Sequence, residues 1–188
     1  RAADLVRSAQ HASDLANRLL TLERVQSDSA QLDLSDVAIP DLLDEVVSPH
    51  QAEIAARGLD LSLSVPPNLP HLTADRMLLR EALTNLVDNA LVHGGHALTR
   101  IEIAAAVLPH GLRLTISDDG RGIAVDKHAM VLARFGQAEP GEGSGLGLSI
   151  AEAVALRHGG RLKLLAAEDE IGLRAGLCVA MDLPFGPV

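Results

Sequence analysis

Two periods of hydrophobic and polar alternation run along the chain, and the switches between them mark out the elements. From residue 2 to about 26, "AADLVRSAQHASDLANRLLTLERVQ" has helical spacing. Leu5, Ala12 and Leu19 recur every seven residues, and Leu15 and Leu22 fill the alternate seam. This stripe of about three heptads fits a helix packed on its own domain, and equally one paired with a second helix or a second copy. "SDSA" ends it. "QLDLSDVAI" then alternates with a period of two and reads as a strand. Pro40 opens a helix over 40–57, closed by Gly58. "LDLSLSV" is a second alternating strand and "PPNLP" a loop, after which Thr73 or Asp75 is placed to cap a helix over 76–94. "TRIEIAAAVL" and "GLRLTISD" form a hairpin turned at "PHG". The stretch 119–144 is rich in glycine and charge and reads as a loop, with one helical turn near "HAMVLARF". A helix follows over about 145–158, and "GRLKLLAAE" and "RAGLCVAMDLP" are the last strands. This order predicts an α+β fold, a two-layer α/β sandwich with three helices on one sheet face, preceded by a long N-terminal helix. The expected division is 1–30 for that helix and its linker, and 31–188 for the domain.

Composition narrows the partners. Lys and Arg number 16 against 25 Asp and Glu, for a formal charge of -9, and no basic run of five occurs. That argues against sequence-independent nucleic-acid binding, which needs clustered cations. There is no Trp or Tyr and there are two Phe, so a bound base has to be held by polar edge contacts and aliphatic packing. The single cysteine, Cys178, lies in an apolar run and reads as a small buried hydrophobe, and one cysteine excludes a disulfide framework. No apolar stretch approaches the roughly 18 residues of a membrane span. The chain begins at Arg1 without a methionine and is expected to be a piece of a longer protein, with any membrane segment outside these residues.

Three constellations can carry chemistry. In "EALTNLVDNALVHG", Glu81, Asn85 and Asn89 lie one helical turn apart and form a polar stripe beside the apolar face of Leu79, Leu83, Leu86, Val87 and Ala90. Their oxygens suit a hard cation or phosphate, although on this helix alone a solvated face is the simpler account. In "SDDGRGI", Asp118 ends a strand, and Gly120 and Gly122 permit close backbone approach to a flat ligand; alone, this is a β-turn. In "GEGSGLGLSI", glycines 141, 143, 145 and 147 lead into an apolar helix, an arrangement that cradles anions. No Walker A lysine and no βαβ unit accompany it. The eight histidines are scattered, without metal-ligand spacing, and no G-x-S-x-G elbow supports a hydrolase.

Together, in this order and spacing, the three resemble the ATP-binding catalytic domain of bacterial sensor histidine kinases. Its Bergerat fold is shared with type II topoisomerase, mismatch-repair and heat-shock chaperone ATPases. The resemblance covers about 31–185. "LLTLERVQSD" looks like the end of the dimerisation hairpin that precedes the domain, and "ARFGQAE" like the family's F-box. The resemblance implies that Glu81 assists phosphoryl transfer, that Asn85 binds Mg2+, and that Asn89 meets phosphates and metal. It implies that Asp118 reads the adenine amine in a pocket shaped by Gly120 and Gly122. Gly143, Gly145, Leu146, Gly147 and Leu148 fall in the G-x-G-L-G-L segment at the phosphates and lid hinge, with Phe135 in a mobile lid over about 124–142. ATP and Mg2+ are the implied cofactors. A response regulator receiver domain is the implied partner, in a homodimeric parent, and this part is expected to be a cytoplasmic domain of an inner-membrane sensor.

Two departures stand out. The family usually has Lys or Arg three residues after the second asparagine; here that position is Val92, with His93 beside it to supply a partial positive contact. The phosphoacceptor histidine motif is absent, so the acceptor is expected outside this chain and His11 reads as a helix surface residue. Related readings are a hydrolytic ATPase module of the same fold, a non-catalytic scaffold domain and a serine-kinase anti-sigma factor. The heptad helix and the short lid favour the histidine kinase.

Overall fold

The computed structural model describes residues 2–26, 31–137, 145–166 and 176–186, and in its first helix the side chains of residue 13 and of 15 onward. That helix, α1 (Ala2–Gln26), matches the span of the heptad stripe. Leu22 and Val25 are buried in the core and Leu15 and Leu19 pack at its edge. The side chains of Leu5 and Ala12 lie outside the described residues.

After β1 (Leu34–Val37) the expected helix over 40–57 divides in two. α2 (Ile39–Val47) buries Ile39, Leu42, Leu43, Val46 and Val47, a single stripe of helical spacing. A 3-10 turn at Ser48–His50 separates it from α3 (Gln51–Ala56). The break has a local cause, because Pro49 has no N–H to donate and its ring clashes with the carbonyl four residues back. Gly58, at φ +64, ends α3 as expected. β2 (Asp60–Ser64) follows, then β3 (Leu72–Asp75), a strand the alternation did not predict. β3 pairs with β1 in a two-stranded antiparallel ribbon, Leu34 opposite Asp75 and Val37 opposite Leu72.

α4 (Arg76–His93) is the central helix. Of the two expected caps it uses Asp75, whose Oδ1 accepts from the Leu78 amide at 3.1 Å. β4 (Arg100–Leu108) and β5 (Gly111–Asp118) form the expected hairpin, and α5 (His128–Leu132) is the short turn within the long loop. α6 (Gly147–Arg157), β6 (Arg161–Ala166) and β7 (Leu177–Pro184) complete the fold. The main sheet has the order β2-β4-β5-β7-β6. All its pairs are antiparallel except β2 with β4, so the sheet is mixed.

The α layer is built on α2, α4 and α6. α4 lies between α2 and α6, and α1 packs along α6. Leu112, Leu114 and Ile116 of β5 and Val179, Met181 and Leu183 of β7 point into this layer and are buried with it in one core. Asp118, two residues beyond Ile116, falls on the same face. On the opposite face Asp182 is 7% exposed and takes Arg113 in a two-pronged contact of 2.6 and 3.1 Å, with Arg161 at 3.2 Å. Lys163 lies 3.6 Å away. Two ion pairs tie α1 to the domain: Arg18 to Asp88 of α4 and Glu23 to Arg134 after α5, each at 2.9 Å.

Candidate functional site

The polar stripe of α4 is not a solvated face. Asn85 is only 5% exposed, and Glu81, Asn89 and His93 are half-buried. Asn85 Nδ2 donates to the Glu81 carbonyl, one turn back, at 2.9 Å. That bond commits the amide nitrogen to the helix and leaves Oδ1 as the group the side chain presents. It presents it toward the start of α6. A methyl on Gly147, the first residue of α6, would stand 3.5 Å from the Asn85 backbone oxygen and 3.9 Å from Oδ1. Asn85 and the N-terminus of the glycine-led helix therefore meet.

The loop after β5 reaches the other end of α4. Asp118 is 6% exposed, and its Oδ1 accepts from the Gly120 amide at 2.9 Å. Gly120 lies against Gly94 just past α4, close enough that a Cβ would come within 2.5 Å of Gly94 Cα and O. Arg121 reinforces the contact, its amide donating to the Gly94 carbonyl at 3.2 Å and its Nε to the His93 carbonyl at 2.8 Å. Gly122, at φ +66, lies under the Gly176 carbonyl, and Gly176 lies against the Asp118 carbonyl. The loop is thus packed main chain on main chain.

Burial raises the Asp118 carboxyl to about 6, with the amides of Gly120 and Leu177 pulling the other way. Its neighbour behaves differently. Burial also opposes the charge on Asp119, but the Thr99 hydroxyl and the amides of Thr99 and Arg100 outweigh it and hold that carboxyl below its usual range. Asp119 clips the loop to the start of β4, and Asp118 is left as the buried acceptor facing the helical layer.

The third part of the site is described in part. Gly143 and residues 138–142 of the expected lid lie outside the described residues. Phe135 is 58% exposed and has φ +60, a conformation unusual for a side chain of its size. It sits against Gly145, whose Cβ, if it had one, would be 2.7 Å from the Phe135 carbonyl carbon. Leu146 and Leu148 are core residues, 0% and 6% exposed, so what they offer a ligand is backbone. The Leu146 carbonyl is itself taken by the Ile150 amide and the Ser149 hydroxyl, each at 2.9 Å. Val92, one helical turn beyond Asn89 on the same edge of α4, is 55% exposed.

Among the described residues no group of three His, Cys, Asp or Glu side chains is placed to hold a metal. The Asn85 oxygen nevertheless fits Mg2+, which takes few protein oxygens and completes its shell from phosphate and water. The sequence reading missed Gly94 and Gly176, whose signal is spatial, and the pair Asp75 and His158. His158 Nε2 accepts from the Asp75 amide at 3.0 Å.

Comparison with known proteins gives a consistent picture. The profile of the histidine kinase-, DNA gyrase B- and HSP90-like ATPases matches residues 74–187. A sensor-like histidine kinase of Rhizobium meliloti is 30% identical over 94% of this chain and 34% of its own length. The sensor-like histidine kinase SenX3 of Mycolicibacterium smegmatis is 29% identical over 85% of this chain and 42% of its own. The chain therefore spans less than half the length of these relatives. Full-length ShkA in complex with AMPPNP superposes with a TM-score of 0.84 at 26% identity, over 99% of this chain and 38% of that one. The histidine kinase ThkA with its response regulator TrrA has the same fold, with a TM-score of 0.76 at 20% identity, over 97% of this chain and 49% of that one.

Proposed function

Since the chain belongs to the family of histidine kinase-, DNA gyrase B- and HSP90-like ATPases, as the ATP-binding catalytic domain of a sensor histidine kinase, we propose that it binds Mg-ATP between α4, the Asp118 loop and the N-terminus of α6. In this reading it delivers the γ-phosphoryl to a histidine outside this chain. The observation that carries the site is the meeting of Asn85 with Gly147, with Asp118 buried behind the Gly120–Gly94 contact at the other end of the helix.

Each group has a task. Asp118 accepts from the adenine amine, and the glycine contacts keep the wall flat enough for a base to lie on it. The free amides and positive end of α6 take phosphate oxygens. Asn85 Oδ1 and Asn89 hold Mg2+, which when bound neutralises charge on the phosphates. Glu81 lies one turn from Asn85 and orients or takes the proton of the attacking imidazole. Phosphoryl transfer is mostly positioning and charge neutralisation, so fixed geometry is the protein's main contribution. Passage of the phosphoryl to an aspartate of a response regulator follows the same reading, supported by the named partner of ThkA. The homodimeric parent and its membrane attachment belong to the proposal as well. No described helix is long and apolar enough to cross a membrane.

Titration calorimetry with Mg-ATP and Mg-ADP tests the site. The unmutated chain should bind and Asn85→Ala should not. An unmutated chain that takes neither nucleotide leaves the scaffold reading. Transfer is tested separately, by adding the parent's dimerisation hairpin and assaying acid-labile phosphate.

A further inference from the structure

His158 lies at the far end of α6 from the nucleotide, and no step above uses it. It is 2% exposed, and both ring nitrogens are committed. Nε2 accepts from the Asp75 amide at 3.0 Å, so Nε2 carries no proton. Nδ1 then bears the hydrogen and donates it to the Val154 carbonyl at 2.8 Å. The ring is held as one neutral tautomer, and burial, foremost, lowers its pKa in keeping with that.

Asp75 is a junction in its own right. Besides giving its amide to His158, it caps α4 through Oδ1 and accepts from the Asp33 amide through Oδ2 at 3.1 Å. The last turn of α6, the first turn of α4 and the entry of the chain into β1 thus share one hydrogen-bonded knot. Asn85 lies ten positions along the helix from Asp75, about 15 Å at 1.5 Å per residue. α6 runs antiparallel to α4 and meets it at both of its own ends, His158 on Asp75 at the start of α4 and Gly147 against Asn85 at its middle. With the far contact fixed, α6 can neither slide nor rotate on α4 without breaking a buried bond.

We propose that His158 is a positioning residue for the nucleotide site: by joining the end of α6 to the cap of α4, it holds the N-terminus of α6 in register with Asn85. The inference rests on the nucleotide-site reading above. It predicts that the Asp75 bond, beyond the bulk of the ring, controls affinity.

The test is Mg-ADP binding by calorimetry to the whole chain, at a temperature where circular dichroism shows every variant folded. His158→Leu should weaken binding about tenfold or more, since misplacing a site by ~1 Å is costly. His158→Gln, whose amide oxygen reaches the position of Nε2, should stay within about threefold of the unmutated chain by the same geometric argument. His158→Asn can keep the Val154 bond but is too short for Asp75, and should behave like leucine. If the leucine variant does not fold, the contrast between Gln and Asn decides alone. Equal affinity in those two, or unchanged affinity in a folded His158→Leu, overturns the inference while leaving the site intact. No binding by the unmutated chain overturns both.

Discussion

Asn85 and Gly147 face each other across the crossing of α4 and α6, with 3.9 Å between Asn85 Oδ1 and the place where a Gly147 side chain would begin. That spacing is ordinary van der Waals contact, so the fold has room for a methyl even though the ligand slot has little. Gly147→Ala should leave the melting temperature unchanged or raise it, since alanine is the better helix former by about 1 kcal/mol. It should nonetheless weaken nucleotide binding, because in the proposed site the methyl would stand where phosphate oxygens approach the amides. Gly145→Ala is the contrasting case. With φ +67 and Phe135 backbone within 2.7 Å, it should cost about 1–3 kcal/mol of local strain. Thermal melts and calorimetry on both variants separate the two effects.

Asp118 should make stability and affinity change in opposite directions. Its folded pKa of about 6 lies above the 3.8 of a free carboxyl. Its contribution to stability is therefore complete below pH 3.8 and lost as the pH rises through about 6. At pH 7 the native state bears the cost of a buried charge, up to about 3 kcal/mol for a shift of this size. Asp118→Asn should be more stable than the unmutated chain at pH 7, with the advantage fading as the pH falls through that window, and should lose affinity for adenine nucleotides. Chemical denaturation at a series of pH values, with Mg-ADP titrations, reads both. In the unmutated chain, affinity should fall as the pH drops below about 6.

Val92→Lys should tighten nucleotide binding. The side chain is 55% exposed, so the exchange disturbs no packing and should alter stability by about 0.5 kcal/mol or less. In the proposed site a lysine there would add a mobile positive charge toward the phosphates, and the gain should shrink as salt is raised from about 50 to about 300 mM, roughly the range over which screening halves its reach. Calorimetry at the two salt concentrations is the check.

The carboxylate of Asp182 should matter for stability alone. Hydrogen bonds from Arg113, foremost, and from Arg161 hold it below the usual carboxylate range against the opposing effect of burial. A depressed pKa means stability that is present above the unfolded value and lost as the pH falls through the folded one. Asp182→Ala leaves Arg113 facing a vacated site and should cost roughly 1.5–3 kcal/mol at pH 7, as for a hydrogen bond to a charged group. The penalty should be smaller in acid. Nucleotide affinity should be unchanged, since the cluster is on the opposite face of the sheet from Asp118.

How legible these features were in the sequence follows from their range. The strands β4 and β5 and the span of α4 were readable because they depend on periodicity and on residues close in the chain. The helix over 40–57 divides because its expected bounds rest on Pro40 and Gly58, while Pro49 between them removes a donor and crowds the preceding turn. β3 was missed because four residues, Leu72 to Asp75, are too few to show alternation, and its pairing with β1 is a tertiary fact. The burial of Asn85 could not be read from α4, since α6 supplies it. Gly94 and Gly176 left no signal because their role is to be approached by residues distant in sequence. His158 read as the end of a helix, and only the fold shows that Asp75 lies beside it.

The ion pairs of α1 have a mechanical consequence. Asp88, gripped by Arg18, immediately precedes Asn89, and Arg134, gripped by Glu23, immediately precedes Phe135. Besides its buried Leu22 and Val25, a helix about 37 Å long, at 1.5 Å per residue over its 25 residues, is thus joined to the domain by two ion pairs, each one residue from a residue of the proposed nucleotide site. Ion pairs this exposed are worth about 1 kcal/mol or less, so they behave as slip joints rather than welds. A displacement of the helix about its buried Leu22 and Val25 would therefore strain both ion pairs together.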